Sequence, residues 1–156
     1  MEFAAVVLPH LDAAYTLARY LTRNEADAQD IVQDASLRAL KYFDGFRGTT
    51  ASDGRAWFLT IVRNAVYTWG QRQGNDGRVT EFNEELHSDD VTRDPAATVD
   101  LRAALDALPL EFREVIVLRE LQGLSYKEIS DVTGVPVGTV MSRLSRARKR
   151  LQEALS

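Results

Sequence analysis

The residues of this chain with the clearest chemical potential are ones that bind without making or breaking bonds. Near the carboxy-terminal end, Thr139, Ser142, Arg143, Arg146, Arg148, Lys149 and Arg150 crowd into one short segment. Small hydroxyls let a backbone approach duplex nucleic acid closely, and arginines beyond them reach base edges or phosphates. A second group, Thr60, Arg63, Asn64, Tyr67 and Gln71, recurs at helical spacing. An amide, an aromatic ring and a base on one stripe suit unpaired nucleotides, because rings stack on bases, amides read base edges and arginine holds phosphate. The same stripe is also what an ordinary polar helix face with a packed tyrosine looks like. A third group sets Leu37 among Asp30, Gln33, Asp34 and Lys41. A leucine ringed by carboxylates and an amide suits a protein-binding patch, although a lone surface leucine is equally ordinary.

Bond-making chemistry finds little support. There is no nucleotide-binding glycine loop and no nucleophile motif. The chain has no cysteine and only two histidines, His10 and His87, so neither a metal site nor a cofactor is expected. The opening MEFAAVVLPHL has an apolar run but no basic region before it and no small-residue cleavage site, and Pro9 and His10 interrupt it. Neither a signal peptide nor a membrane span is expected, and a cytoplasmic location follows.

The formal net charge of −4 argues on its face against nucleic-acid binding. The charge is segregated, however. Acidic residues crowd the middle (Glu81, Glu84, Glu85, Asp89, Asp90, Asp94), and basic residues crowd the last helix. A chain can repel DNA on average and still bind it with one end.

The elements that must position these groups read as helices throughout, with no alternating strand pattern of useful length. The first runs from about Phe3 to Leu21, bent near Pro9. A second runs from Glu25 to Phe43, with Asn24 as its N-cap. It should bury Ala28, Ile31, Val32, Ala35, Ala39 and Tyr42. The stretch DGFRGTTASDGR reads as a loop, and a third helix follows from Arg55 to Arg72. That helix should bury Phe58, Val62, Ala65 and Trp69. From Gln73 to Arg93 the pattern dissolves into polar and acidic residues, read as a flexible acidic linker. Asp94-Pro95 then opens a second set of helices: Pro95 to Leu105, Pro109 to Leu121, Ser125 to Val132, and Val137 to Ala154. The expected fold class is therefore all-α, with two small helical domains at 1–72 and 94–156 joined by a linker at 73–93.

Within the second domain, Ser125 and Glu128 form the S-x-x-E spacing of a capping box. Thr133-Gly134-Val135 makes a tight turn, and a further helix follows at once, which is the helix-turn-helix layout. On that last helix Val140, Leu144, Ala147 and Leu151 form a core stripe. Ser142, Ser145, Arg146 and Lys149 lie opposite, with Thr139, Arg143 and Arg150 along one edge.

At this point the chain resembles the bacterial sigma-70 family, in particular its extracytoplasmic-function group. ADAQDIVQDASLRAL resembles the polymerase-binding segment of region two. RAWFLTIVRNAVYTWGQR resembles the segment that melts and reads the minus-ten element. The stretch from Leu105 to Leu155 resembles region four, which reads the minus-thirty-five element. The resemblance implies that Asp30, Gln33, Asp34 and Leu37 contact core RNA polymerase. It implies that Arg63, Asn64 and Tyr67, with the loop from Phe46 to Asp53, hold the separated minus-ten strand. It assigns Thr139, Ser142, Arg143, Arg146 and Lys149 to the minus-thirty-five duplex. It also implies an anti-sigma partner and no enzymatic activity. A stand-alone helix-turn-helix regulator would explain the carboxy-terminal half equally well, but leaves the Asn64 stripe and the Leu37 patch without a role.

Overall fold

The computed structural model describes residues 2–73 and 101–156. Apart from Gln73, the linker expected over 73–93 and the helix start expected at Asp94-Pro95 lie outside the described residues.

The amino-terminal half holds four helices: α1 (Phe3–Val7), α2 (Leu11–Thr22), α3 (Glu25–Lys41) and α4 (Ala51–Arg72). The bend expected near Pro9 is a 3-10 turn, Leu8–His10, between α1 and α2. Asn24 caps α3 as expected, accepting a 2.9 Å bond from the backbone N–H of Asp27. Ala28, Ile31, Ala35 and Ala39 are buried on its inner side. Tyr42 is not. It is exposed, because α3 stops at Lys41 and the helical periodicity that would have turned Tyr42 inward no longer applies.

The helix α4 begins at Ala51, four residues before the start read from the sequence. Thr50 and Asp53 form a capping box: Asp53 N–H donates to the Thr50 hydroxyl at 3.1 Å, and Thr50 N–H donates to the Asp53 carboxylate at 3.1 Å. A third bond, from Thr49 N–H, helps hold the Asp53 carboxyl below the usual range. What read as loop is therefore partly helix. Gly48 is needed just before it, since a Cβ there would stand 2.4 Å from that of Asp53 and 2.6 Å from the ring of Phe46.

The carboxy-terminal half holds α5 (Leu101–Asp106), α6 (Leu110–Ile116), α7 (Tyr126–Thr133) and α8 (Val137–Leu155). A π-helical turn, Val117–Leu121, extends α6. The Ser125–Glu128 capping box is present, and Gly134 ends α7 at φ 79°, in the left-handed region. The core stripe of α8 is buried at Val140, Leu144 and Ala147 and half-buried at Leu151.

The two halves share one apolar cluster, which contains Leu17, Phe58 and Val62 from the first and Phe112, Ile116 and Leu144 from the second. Polar groups tie the same seam. Arg55 on α4 donates to the backbone carbonyl of Gln122 and to Glu128, both at 3.2 Å. Gln122 donates to the carbonyl of Ala13 at 2.7 Å. Arg113 is buried, and its guanidinium reaches the carbonyls of Leu108 (2.9 Å), Asp106 (3.1 Å) and Leu21 (3.4 Å). Burial pulls its pKa down to about 10.

Candidate nucleic-acid and protein interfaces

The face expected to read duplex DNA is built by local rules. The left-handed Gly134 ends α7 sharply, Ser130 donates to the carbonyl of Val135 at 2.6 Å across the turn, and Pro136 leads into α8. With its apolar stripe turned inward, α8 exposes Ser142, Arg146 and Lys149. Thr139 and Arg143 are half-buried along its edge. Two neighbouring cations are engaged elsewhere. Arg148 pairs with Glu120 at 2.6 Å, and Arg150 lies 5.2 Å from the ring centre of Phe112.

The α3 face exposes Asp30, Gln33, Asp34 and Leu37 together. Leu37 is 63% exposed, although Asp34 and Arg38 beside it form a surface ion pair at 3.1 Å. Leu40 and Tyr42 are exposed nearby, at 57% and 59%, so the apolar part of this surface is wider than Leu37 alone. Leu40 stands three residues after Leu37, a helical neighbour that sequence reasoning passed over.

The α4 stripe divides. Asn64 is exposed, as its assigned face requires. Arg63 and Tyr67 are only half-buried, engaged by Glu114 of α6. Arg63 Nε donates to Glu114 Oε1 at 2.6 Å, and the Tyr67 hydroxyl donates to Glu114 Oε2 at 3.3 Å. The Arg63 guanidinium also stacks 3.7 Å from the Tyr67 ring centre. The Glu114 side chain is 0% exposed and that of Arg63 is 17% exposed. Burial pushes the Glu114 carboxyl upward, while Arg63, Tyr67 and the charge of Arg143 pull it back. Burial works against the Arg63 cation, but Glu114 outweighs it and holds the guanidinium above its ordinary range. Tyr67 is pushed up by burial and by the same carboxylate. The physical reason for this contact lies on α4 itself. Leu59, Val66 and Gly70 are buried beside Phe58 and Val62, so the apolar arc is wide enough to pack both halves, and Arg63 stands on its rim.

Near the start of α4, an open cleft of about 470 Å³ is lined by Phe46, Arg47, Asp53, Trp57, Thr60 and, from α7, Asp131. Phe46 lies 5.1 Å from Trp57 and stacks on Phe43 at 6.0 Å, which fixes the segment before α4 against that helix.

A helix-turn-helix with an exposed basic face, on the same chain as a helical unit that presents an exposed acidic and apolar row, is the layout of a two-part DNA-binding protein of the transcription machinery. Family models agree with the order of the parts: sigma-70 region 2 matches residues 6–75, and sigma-70 region 4 matches residues 98–151. The chain is 32% identical to the extracytoplasmic-function sigma factor SigE of Mycolicibacterium smegmatis, over 97% of this chain and 60% of that protein. It thus spans less than two thirds of that relative. It is also 32% identical to EcfG of Rhodopseudomonas palustris, over 96% of this chain and 82% of the relative. Among solved structures it is similar to the Bartonella quintana sigma factor RpoE in complex with the anti-sigma factor NepR, with a TM-score of 0.74, 32% identity, and coverage of 96% of this chain and 93% of that one. It is also similar to CnrH in complex with the cytosolic domain of CnrY, with a TM-score of 0.67 and 28% identity over 98% and 86% of the two chains. The chain belongs to the sigma-70 family, in its extracytoplasmic-function group. No helix among the described residues is long and apolar enough to cross a membrane.

Proposed function

We propose that this chain is a cytoplasmic, non-enzymatic sigma factor that binds core RNA polymerase and directs it to promoters. In this reading Asp30, Gln33, Asp34 and Leu37 dock on polymerase. Thr139, Ser142, Arg143, Arg146 and Lys149 hold the minus-thirty-five duplex. Arg63, Asn64 and Tyr67 engage the separated minus-ten strand. The domain division is 1–72 for strand and polymerase binding, 73–93 as linker, and 94–156 for duplex recognition. No cofactor is required.

The observation that carries this reading is the simultaneous exposure of the α3 row and the outer face of α8 on one chain. A stand-alone repressor would need the second but has no use for the first. An anti-sigma partner follows from the relatives: RpoE and CnrH are similar to this chain over nearly all its length, and RpoE is held in its structure by an anti-sigma factor.

The test is reconstitution with core polymerase and run-off transcription on a library of genomic promoter fragments. Specific transcripts that depend on the added chain are expected. Binding to a duplex operator without polymerase, together with no transcription in its presence, would favour the repressor instead.

A further inference from the structure

One large apolar side chain of α8 takes no part in its core. Met141 is 51% exposed, although Val140, Leu144 and Ala147, which pack the helix, are buried beside it. Its outward neighbours are small and exposed: Gly138 three residues before it, Ser142 next to it and Ser145 four residues after it. No longer side chain shields the thioether on that side. Val137, one turn earlier, is a second exposed apolar group.

Gly138 is small without an internal reason. A Cβ there would meet nothing within 4 Å, and its φ is not in the left-handed region. Glycine weakens a helix relative to alanine, and nothing within the chain requires it here. An outside surface that comes close to the backbone does. The flank beyond Met141 is also cleared. Arg148, seven residues on and on the same side, is drawn off by Glu120, to which its Nε and Nη2 donate at 2.9 and 2.6 Å. The exposed residues that adjoin Met141 on the other side are those of the basic face, Ser142, Arg146 and Lys149. Met141 thus stands in the second turn of a helix whose N-terminal part meets base edges in a helix-turn-helix.

In the major groove the base edges present donors and acceptors, and the C5 methyl of thymine is the apolar group among them. A thioether offers a polar base edge no useful hydrogen bond, so such an edge set against it loses water without gaining a partner. Its unbranched, flexible chain settles readily on a methyl group. From this we infer that Met141 is a specificity-determining residue: it selects a thymine in the minus-thirty-five element through the C5 methyl group, with Val137 widening the apolar contact and Gly138 letting the helix come close. This rests on the duplex-reading role proposed for α8. It gives the face a means of rejecting cytosine, which turns an amino group to the groove and carries no methyl.

Deoxyuridine isolates the methyl group, because it pairs as thymidine does and lacks only that carbon. Holoenzyme reconstituted from the full-length chain and core polymerase is titrated with duplex fragments of a promoter found by run-off transcription. Each thymidine of the upstream element, on either strand, is replaced in turn by deoxyuridine. At one position the parent should bind about fourfold more weakly, the worth of one buried methyl group. Met141→Ala should bind the thymidine fragment about fourfold more weakly than the parent and lose the response to deoxyuridine at that position. Met141→Leu, which stays apolar, should keep it. Both variants should match the helicity of the parent, since Met141 is exposed. No responding position in the parent would overturn the inference. So would an undiminished response in Met141→Ala, which would assign the effect to the shape of the duplex. Weaker binding of Met141→Ala to core polymerase itself, with equal losses on every fragment, would overturn it in favour of a protein contact. Transcription by the parent separates the two readings. If it transcribes and any of these results appears, thymine selection fails and the sigma function stands. If it does not transcribe, the functional reading has failed and thymine selection falls with it.

Discussion

The outer face of α8 and the polar stripe of α4 are written in similar residues, yet the fold treats them differently. On α8, Ser142, Arg146 and Lys149 face solvent behind a narrow apolar stripe. On α4, Asn64 faces solvent while Arg63 and Tyr67 are half-buried against α6. The difference comes from the width of the buried side. Val140, Leu144 and Ala147 bind α8 to its own half, whereas Leu59 and Val66 extend the buried side of α4 beyond Phe58 and Val62. A helix that packs on two sides has less free surface, and the polar residues at its margins become interface residues.

Five substitutions probe this contrast. The largest effect is expected at Arg63. Arg63→Ala leaves the carboxylate of Glu114 buried without its cation, which costs about 3–5 kcal/mol for a buried pair broken from one side. Thermal unfolding of the variant at neutral pH should show that loss. The deficit should shrink in acid. The Glu114 pKa is raised in the folded state by burial, so the folded protein holds that proton more tightly than the unfolded chain does. The associated stability is present below the unfolded carboxyl range and lost as pH rises through the raised folded value. An Arg63→Ala deficit that does not change with pH would contradict the burial of the carboxylate.

Next comes Leu37→Arg on the exposed face of α3. Forcing a charge into a desolvated contact should weaken core polymerase binding by about 2 kcal/mol or more, as at other interface hot spots. Circular dichroism of the free variant should match the parent, because Leu37 is exposed. A loss of helicity would show that it supports the fold instead.

The two arginines of α8 then sharpen the comparison from the other side. Arg146→Ala should reduce recognition of the minus-thirty-five element by about 1–3 kcal/mol and leave polymerase binding unchanged. Arg143→Ala should produce the same promoter defect and also disturb the free protein, since Arg143 acts electrostatically on Glu111 and Glu114. Gel-shift titrations on wild-type and minus-thirty-five-scrambled fragments, alongside melting curves, distinguish them. Identical behaviour of the two variants in both assays would remove Arg143 from the seam.

The smallest effect on the free protein is expected at Asn64. An exposed surface substitution changes stability by about 0.5 kcal/mol or less, so Asn64→Ala should melt like the parent. Its consequence should appear only in strand opening. Permanganate footprinting on duplex promoters should show less open complex, and a template melted in advance at the minus-ten element should restore part of it, because unpairing has already been done. Normal opening by the variant would move base capture to Tyr67.

How much of this was legible beforehand depended on the range of the interaction. Asn24 as a cap, the Ser125–Glu128 box, the turn at Gly134 and the apolar stripe of α8 are local, and the sequence shows them directly. The Thr50–Asp53 box was equally local: the T-x-x-D spacing stands inside GTTASDG, but the density of glycine and small polar residues read as loop. Tyr42 failed at a boundary, because a face assignment holds only while the helix continues. The Arg63–Glu114 pair was different in kind. Glu114 pairs with Arg63 across 51 positions of sequence, and nothing in LEFREVIVLRE marks one glutamate as the partner of a distant arginine. The extra apolar residues Leu59 and Val66 were the available sign that α4 had a second neighbour.

Arg113 carries one more consequence. Its buried guanidinium reaches the carbonyls of Asp106 at the end of α5 and Leu21 at the end of α2, groups that a helix leaves without partners. One cation therefore terminates a helix in each half. Loss of that guanidinium leaves both termini without this donor, and the shared apolar cluster couples them further. With the halves joined in this way, the chain is expected to melt in a single calorimetric transition, although it is assembled from two. Its melting is then a property of the pair, and a destabilising substitution in one half lowers the transition temperature of both.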